Sequence, residues 1–374
     1  MNRVSVTLTR HLGHRWTALT HAVSPSAWRG VLRIDAHRAG FAAPLRVGVA
    51  VTVVFLVGGL TGQHLLAGFA ALGALVSAFC RPDPYPVRAG RLAVLGVGIT
   101  AAIGIGATLG ATGADSYVVT AVIAVLAGAA AYLVWALHIV GPGAVVFVFG
   151  AAGAQSFAHD AGDIALAMGV TLGGAVIGVL AALAPWLLHG LRGERSAARR
   201  ESLWVTLTRA PHRALLTRGV RITIAGVLAA AIAMALGFDH PLWATMGAVA
   251  AMQGVGYHVT VHRGVQRLLG NVAGALLAAG LLALPLGYWG AVAAIIVFQV
   301  VAEVASTVNY AVTSMAVTPM ALLLTGLGAG LAPAVALDRV LDTAVGIVVG
   351  IVVAAVTISG ADAEHLRSRA AVGS

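Results

Sequence analysis

Twelve stretches of this sequence are apolar for close to the length a helix needs to cross a bilayer, and that pattern leaves few folds open. A hydrocarbon core about 30 Å thick takes roughly 20 residues of helix. Inside it each backbone amide must be bonded within its own helix or in a closed barrel. Cut at charges, prolines and polar clusters, the apolar stretches run 42–60, 65–80, 91–110, 117–137, 140–157, 164–189, 220–237, 241–257, 268–285, 288–306, 309–330 and 339–358. Only 10% of the residues are charged and 59% are hydrophobic, whereas a soluble domain carries about 25% charged residues. The expected fold is all-α: a polytopic membrane helix bundle of about 12 transmembrane helices in contact with the lipid bilayer.

Several chemistries are excluded by what is missing. All 23 basic residues counted as Lys or Arg are arginine, which removes a Walker A loop, a Schiff-base nucleophile and a pyridoxal site. The single cysteine, Cys80, forms no internal disulfide and no CxxC motif. HExxH and GxSxG are absent as well. No enzyme, cofactor, metal site or nucleic-acid partner is expected. Met1 to Arg46 carries seven arginines and no continuous apolar run before the first span, so a cleavable signal is not expected either.

Arginine position sets the expected orientation, because positive residues near span ends stay on the cytoplasmic side. Twelve spans place 22 of the 23 arginines inside and leave Arg339 outside, with both termini cytoplasmic in a bacterial inner membrane. Ser24 and Pro25 can open a short interfacial helix bearing Trp28, Val31 and Leu32 on one face. The basic run Arg192–Arg218 reads either as a similar surface helix or as a solvated linker.

The chain also repeats itself. A shift of 175 superposes His37, Arg38, Ala39, Arg46 and Arg88 on His212, Arg213, Ala214, Arg221 and Arg263. A shift of 176 brings His64 onto His240 and Arg91 onto Arg267, and a shift of 172 brings Gly174 and Gly178 onto Gly346 and Gly350. Six is even, so the two copies are predicted to be parallel six-helix repeats about an axis along the membrane normal. The division expected is an N-terminal segment 1–40, repeat one at 41–190, a basic linker at 191–219, repeat two at 220–360 and a tail at 361–374. The GxxxG pairs Gly174/Gly178, Gly270/Gly274 and Gly346/Gly350 read as close helix packing.

Four strings of the second copy carry a resemblance: "HPLWATMGAVAAMQ" from His240, "RGVQRLLGNVAGALL" from Arg263, "NYAVTSMAVTPMALLL" from Asn309 and "RVLDTAVGIVVG" from Arg339. They are similar to the fusaric acid resistance-like (FUSC) and aromatic acid exporter family, with a more distant likeness to plant aluminium-activated malate channels. The first copy departs from the pattern, having no tryptophan opposite Trp243 and Ala167 near the place of Arg339. The resemblance implies proton-driven export of aromatic or other organic carboxylates. A passive anion channel and a membrane scaffold for envelope assembly are the alternatives.

An aromatic carboxylate needs apolar walls, rings to stack on, and a cation or amide for its charge. Trp243, Asn309 and Tyr310 are candidates for that contact, with Phe298, Tyr132, Phe147 and Phe149 as further rings. Arg46, Arg91, Arg221 and Arg267, related in pairs by the repeat, either ring an inner mouth that concentrates anions or anchor span ends to headgroups. Glu303, an acid inside a predicted span, is the candidate proton carrier unless it snorkels to the span end. Arg339 and Asp342, three apart, are expected to form an outer ion pair. Asp163 is expected to cap span six.

Overall fold

The computed structural model describes residues 3–24, 28, 31, 33–35, 37, 40–191, 202–254, 256–329 and 332–372, and among these there is no strand. The helices are α1 (Arg3–Ala22), α2 (Ala42–Leu60), α3 (His64–Ala74), α4 (Tyr85–Ala111), α5 (Ser116–Ala136), α6 (Val145–Phe157) and α7 (Ala161–Leu191). They continue as α8 (Leu203–Thr208), α9 (His212–Ala235), α10 (Pro241–Met252), α11 (Tyr257–Leu282), α12 (Gly287–Ala305), α13 (Tyr310–Ala329), α14 (Val335–Val356) and α15 (Gly360–Val372). The interfacial helix expected around Trp28 falls largely on residues outside those described, as does the basic run up to residue 201.

Each of the twelve apolar stretches contains a helix, yet among the described residues only nine helices are long and apolar enough to cross a membrane. The other three, His64–Ala78, Val145–Phe157 and Pro241–Met252, are shorter. A 12-residue helix such as α10 rises only about 18 Å at about 1.5 Å per residue. Local chemistry sets these lengths. After α3 the chain tightens into a 3-10 turn, Leu75–Ala78, and Cys80 takes a positive φ of 57°. Gly141, Pro142 and Gly143 delay the start of α6, and α10 stops at Met252 ahead of Gln253 and Gly254. Hydropathy alone does not register where these helices stop.

A helix too short for the bilayer is viable where protein surrounds it. Accordingly, every residue of α10 from Trp243 to Met252 is buried, and in α3 all residues from Ala67 to Ala74 except Ala70 are buried. The packing is strongly patterned. In the first half α3 lies on α7, α4 on α6 and α7, and α2 on α3; in the second half α10 lies on α14, α11 on α13 and α14, and α9 on α10. The halves meet through α5 against α9 and α2 against α12, with α3 reaching α13 and α6 reaching α10.

Glycine permits the closest of these approaches. A Cβ at Gly174 would collide with the carbonyl oxygen of Ala70, and one at Gly346 with that of Ala244. These are α3–α7 and α10–α14 crossings, so the GxxxG pairs act in packing, as small residues do between membrane helices. At the start of α7 Asp160 Oδ1 accepts from Asp163 N at 2.9 Å, while Asp163 Oδ2 accepts from His159 N at 2.8 Å. Asp160 is therefore the cap and Asp163 its reciprocal partner, a correction of one turn position.

Candidate functional site

A cavity of about 300 Å³ lies between the halves, walled by residues from α2, α3 and α6 on one side and from α10 to α14 on the other. Its surface is largely apolar, with Phe55, Leu72, Val146, Ile295 and Leu324 among its walls. Against those walls stand Arg81, Arg263, Arg267, Arg339, Glu303 and Tyr310.

Helical spacing explains how three of the arginines converge. Arg263 and Arg267 are four apart on α11, hence on one face, and α11 packs against both α13 and α14. Arg263 lies over the Tyr310 ring at 4.3 Å from its centroid, and Arg267 Nη1 donates to the Tyr310 hydroxyl at 3.3 Å. Arg339, on the first turns of α14, lies over Trp243 at 5.0 Å from its centroid. Cation–π contact holds a guanidinium without neutralising it. The Nε atoms of Arg263, Arg267 and Arg339 are buried and make no hydrogen bond among the described residues. Three cations thus line one cavity. Asn271 fixes the frame behind them: its Nδ2 donates to Arg339 O at 3.1 Å, and its Oδ1 accepts from Thr318 Oγ1 at 2.9 Å.

Glu303 is paired rather than free. Its carboxylate forms an ion pair with Arg81 and accepts from Gln299 Nε2 at 3.0 Å. Arg81 Nη1 also donates to Glu303 O at 3.1 Å and to Ser306 Oγ at 3.3 Å. Arg81 belongs to the first half and Glu303 to the second, so the pair straps the halves together beside the cavity. Burial, with the Arg46 guanidinium nearby, pulls Arg81 below the ordinary arginine range.

The other predicted residues take different places. Arg91 is buried and pairs with Asp83 at 2.8 Å. Its neighbour Arg88 donates to the carbonyls of Cys80 (3.0 Å), Arg81 (2.7 Å) and Asp83 (2.8 Å). These two arginines brace the turn that aims Arg81, whereas their repeat partners Arg263 and Arg267 face the cavity. Arg46 is half-buried and Arg221 reaches Ala354 O at 3.4 Å; neither lines the cavity. A four-arginine mouth built from Arg46, Arg91, Arg221 and Arg267 is therefore not what the fold assembles, because the turn at Cys80–Asp83 draws Arg91 to itself.

Asn309 serves as a clasp. Its Oδ1 accepts from Ala311 N at 2.8 Å, and its Nδ2 donates to Val31 O at 3.0 Å and Arg33 O at 2.8 Å, fastening the N-terminal segment to the start of α13. Phe149 lines the cavity, while Phe147, Phe298 and Tyr132 do not.

The expected Arg339–Asp342 ion pair does not form. Arg339 turns to Trp243, while Asp342 is fully buried and neither of its carboxylate oxygens has a hydrogen-bond partner among the described residues. Asp342→Asn thus removes no bond and lifts the burial cost of a carboxylate, a few kcal/mol at this depth. Its thermal unfolding midpoint in detergent is expected to stay level or rise; a fall of several degrees would show that the carboxylate holds a partner.

Sequence reasoning passed over Arg81 and Arg263 as site residues. The i, i+4 spacing of Arg263 and Arg267 was a usable signal, but nothing in the sequence ties Arg81 to Glu303, 222 positions away.

With nine helices among the described residues long and apolar enough to cross a membrane, the chain is a multi-pass helical membrane protein. The profile of the family described as fusaric acid resistance protein-like matches residues 228–353. That segment, which contains Arg263, Arg267, Glu303, Tyr310 and Arg339, is similar to the FUSC family. No curated protein and no solved structure matches the chain.

Proposed function

We propose that the protein exports organic carboxylate anions, aromatic ones among them, through the cavity between its halves, with the proton gradient as the driving force. The observation that carries this reading is the convergence of Arg263, Arg267 and Arg339 on one apolar-walled cavity beside Tyr310. Guanidinium groups suit a carboxylate, and apolar walls suit a ring or alkyl body. A volume of about 300 Å³ lies at the lower end of the roughly 300–1,000 Å³ of small-ligand sites.

In this reading the chain consists of two parallel six-helix repeats, each with short helices held inside the bundle, and the reciprocal contacts of α5 with α9 and α2 with α12 support that division. The arginine-rich turns face the cytoplasm and the protein sits in a bacterial inner membrane. Glu303 couples the proton: protonation would break its pair with Arg81 and release a fourth cation to the cavity.

Reconstitution into liposomes tests the proposal. Benzoate is expected to accumulate against its gradient when a pH difference is imposed, and the accumulation to collapse with a protonophore. A current reversing at the benzoate Nernst potential would make the protein a channel. Neither uptake nor current across a panel of organic anions would overturn the reading.

A further inference from the structure

A second, larger cavity of about 560 Å³ lies at the end of the bundle where α10 begins, and polar groups of Gln155, Ser156, His159, Asp239 and His240 line it. Four side chains line both this vestibule and the central cavity: Leu72, Phe149, Met246 and Leu324. They come from α3, α6, α10 and α13, three of which are the helices too short to cross a membrane.

These four positions are not independent. Leu72 and Met246 are 174 apart and Phe149 and Leu324 are 175 apart, within the 172–176 range of the shifts that superpose the two halves. They sit where the halves touch across the interface, α3 on α13 and α6 on α10. Leu72 and Met246 are buried, and Gly68 brings α3 close to the Leu324 side chain, where a Cβ would meet Cδ1 at 3.4 Å. Two repeat-related pairs thus meet at the boundary between a charged cavity and a polar vestibule, and none of the four side chains carries a hydrogen-bonding group other than the weakly accepting methionine sulfur.

We propose that Leu72, Phe149, Met246 and Leu324 form an apolar gate that selects the transported anion by its body rather than its charge. A hydrated inorganic anion must shed water to enter a constriction that offers no replacement donor, and pores of this kind close by dewetting. An organic carboxylate meets the same ring with its apolar part. Its charge has a relay alongside, since Arg339 lines the central cavity while Trp243, on whose ring it rests, lines the vestibule.

The inference rests on the proposed pathway through the central cavity, and the experiment separates the two. Full-length protein is reconstituted into chloride-loaded vesicles, and chloride release is followed with an electrode under a potassium–valinomycin shunt. The wild type is expected to retain chloride. Leu72→Ser with Met246→Ser, and separately Phe149→Ser with Leu324→Ser, are each expected to release it about tenfold faster or more, since a hydroxyl-lined ring stays wet. Monodispersity and thermal unfolding establish that each variant is folded. If a serine pair does not fold, Met246→Ala alone carries the same expectation in smaller degree. Chloride release at the wild-type rate from folded variants overturns the gate, as does free chloride leakage through the wild type. If the wild type moves no carboxylate while the serine variants leak chloride, the gate stands and the substrate assignment falls.

Discussion

Arg267→Gln combined with Arg339→Gln is expected to weaken benzoate binding by about a hundredfold or more, while binding of the neutral analogue benzamide changes by no more than about threefold. A hydrogen bond to a charged group contributes about 1.5–3 kcal/mol, and each 1.4 kcal/mol is about a tenfold change in affinity, so losing two guanidinium partners accounts for the factor. Glutamine keeps a polar side chain of similar reach, and the stacked ring of Trp243 remains in place. Isothermal titration of purified protein at low and at high salt provides the measurement. Because both cations are buried, the loss should persist at high salt, where screening abolishes surface attraction. Equal losses for benzoate and benzamide would remove these arginines from the site. Arg91→Gln supplies the contrast: it breaks the pair with Asp83, so it should lower stability and leave the discrimination between charged and neutral ligand intact.

The second large effect concerns the strap between the halves. Arg81→Ala leaves the Glu303 carboxylate buried with Gln299 as its remaining side-chain donor, and removing one partner of a buried pair costs about 3–5 kcal/mol. A fall in unfolding temperature of several degrees or more is therefore expected. Glu303→Gln in the same background should recover much of it, because the uncompensated charge is gone. The double-mutant cycle should give a coupling above about 1.5 kcal/mol. Additive losses would show that the two side chains do not depend on each other. In vesicles Glu303→Gln alone should abolish dependence on the pH gradient while benzoate exchange remains measurable. Undiminished dependence would assign the proton to another group.

Much of the bundle was legible because membrane helices are written in composition and length. All twelve apolar stretches contain a helix, and the GxxxG glycines sit where backbones touch. The count of spans was not legible, since hydropathy does not register a helix stop: Leu75 to Cys80, apolar but for Ser77, reads the same whether it continues a helix or turns. The site was legible in its ingredients and not in its assembly. Arg267, Arg339, Glu303, Trp243 and Tyr310 were each candidates from the sequence, but which of them touch was not legible, nor was the place of Arg81 beside Glu303.

By itself, the sequence determined that this chain is a polytopic helical membrane protein, that its second half resembles the FUSC pattern, and that it contains no lysine for lysine-dependent chemistry. Tertiary structure alone decided which arginines remain free for a ligand. Arg88 and Arg91 in the first half correspond to Arg263 and Arg267 in the second through the repeat, yet the first pair bonds Asp83 and the carbonyls of the Cys80 turn, while the second pair meets Tyr310 and a cavity. The physical reason is that a guanidinium is committed by whichever acceptor lies within about 3 Å of it, and that proximity is set by how helices distant in sequence cross.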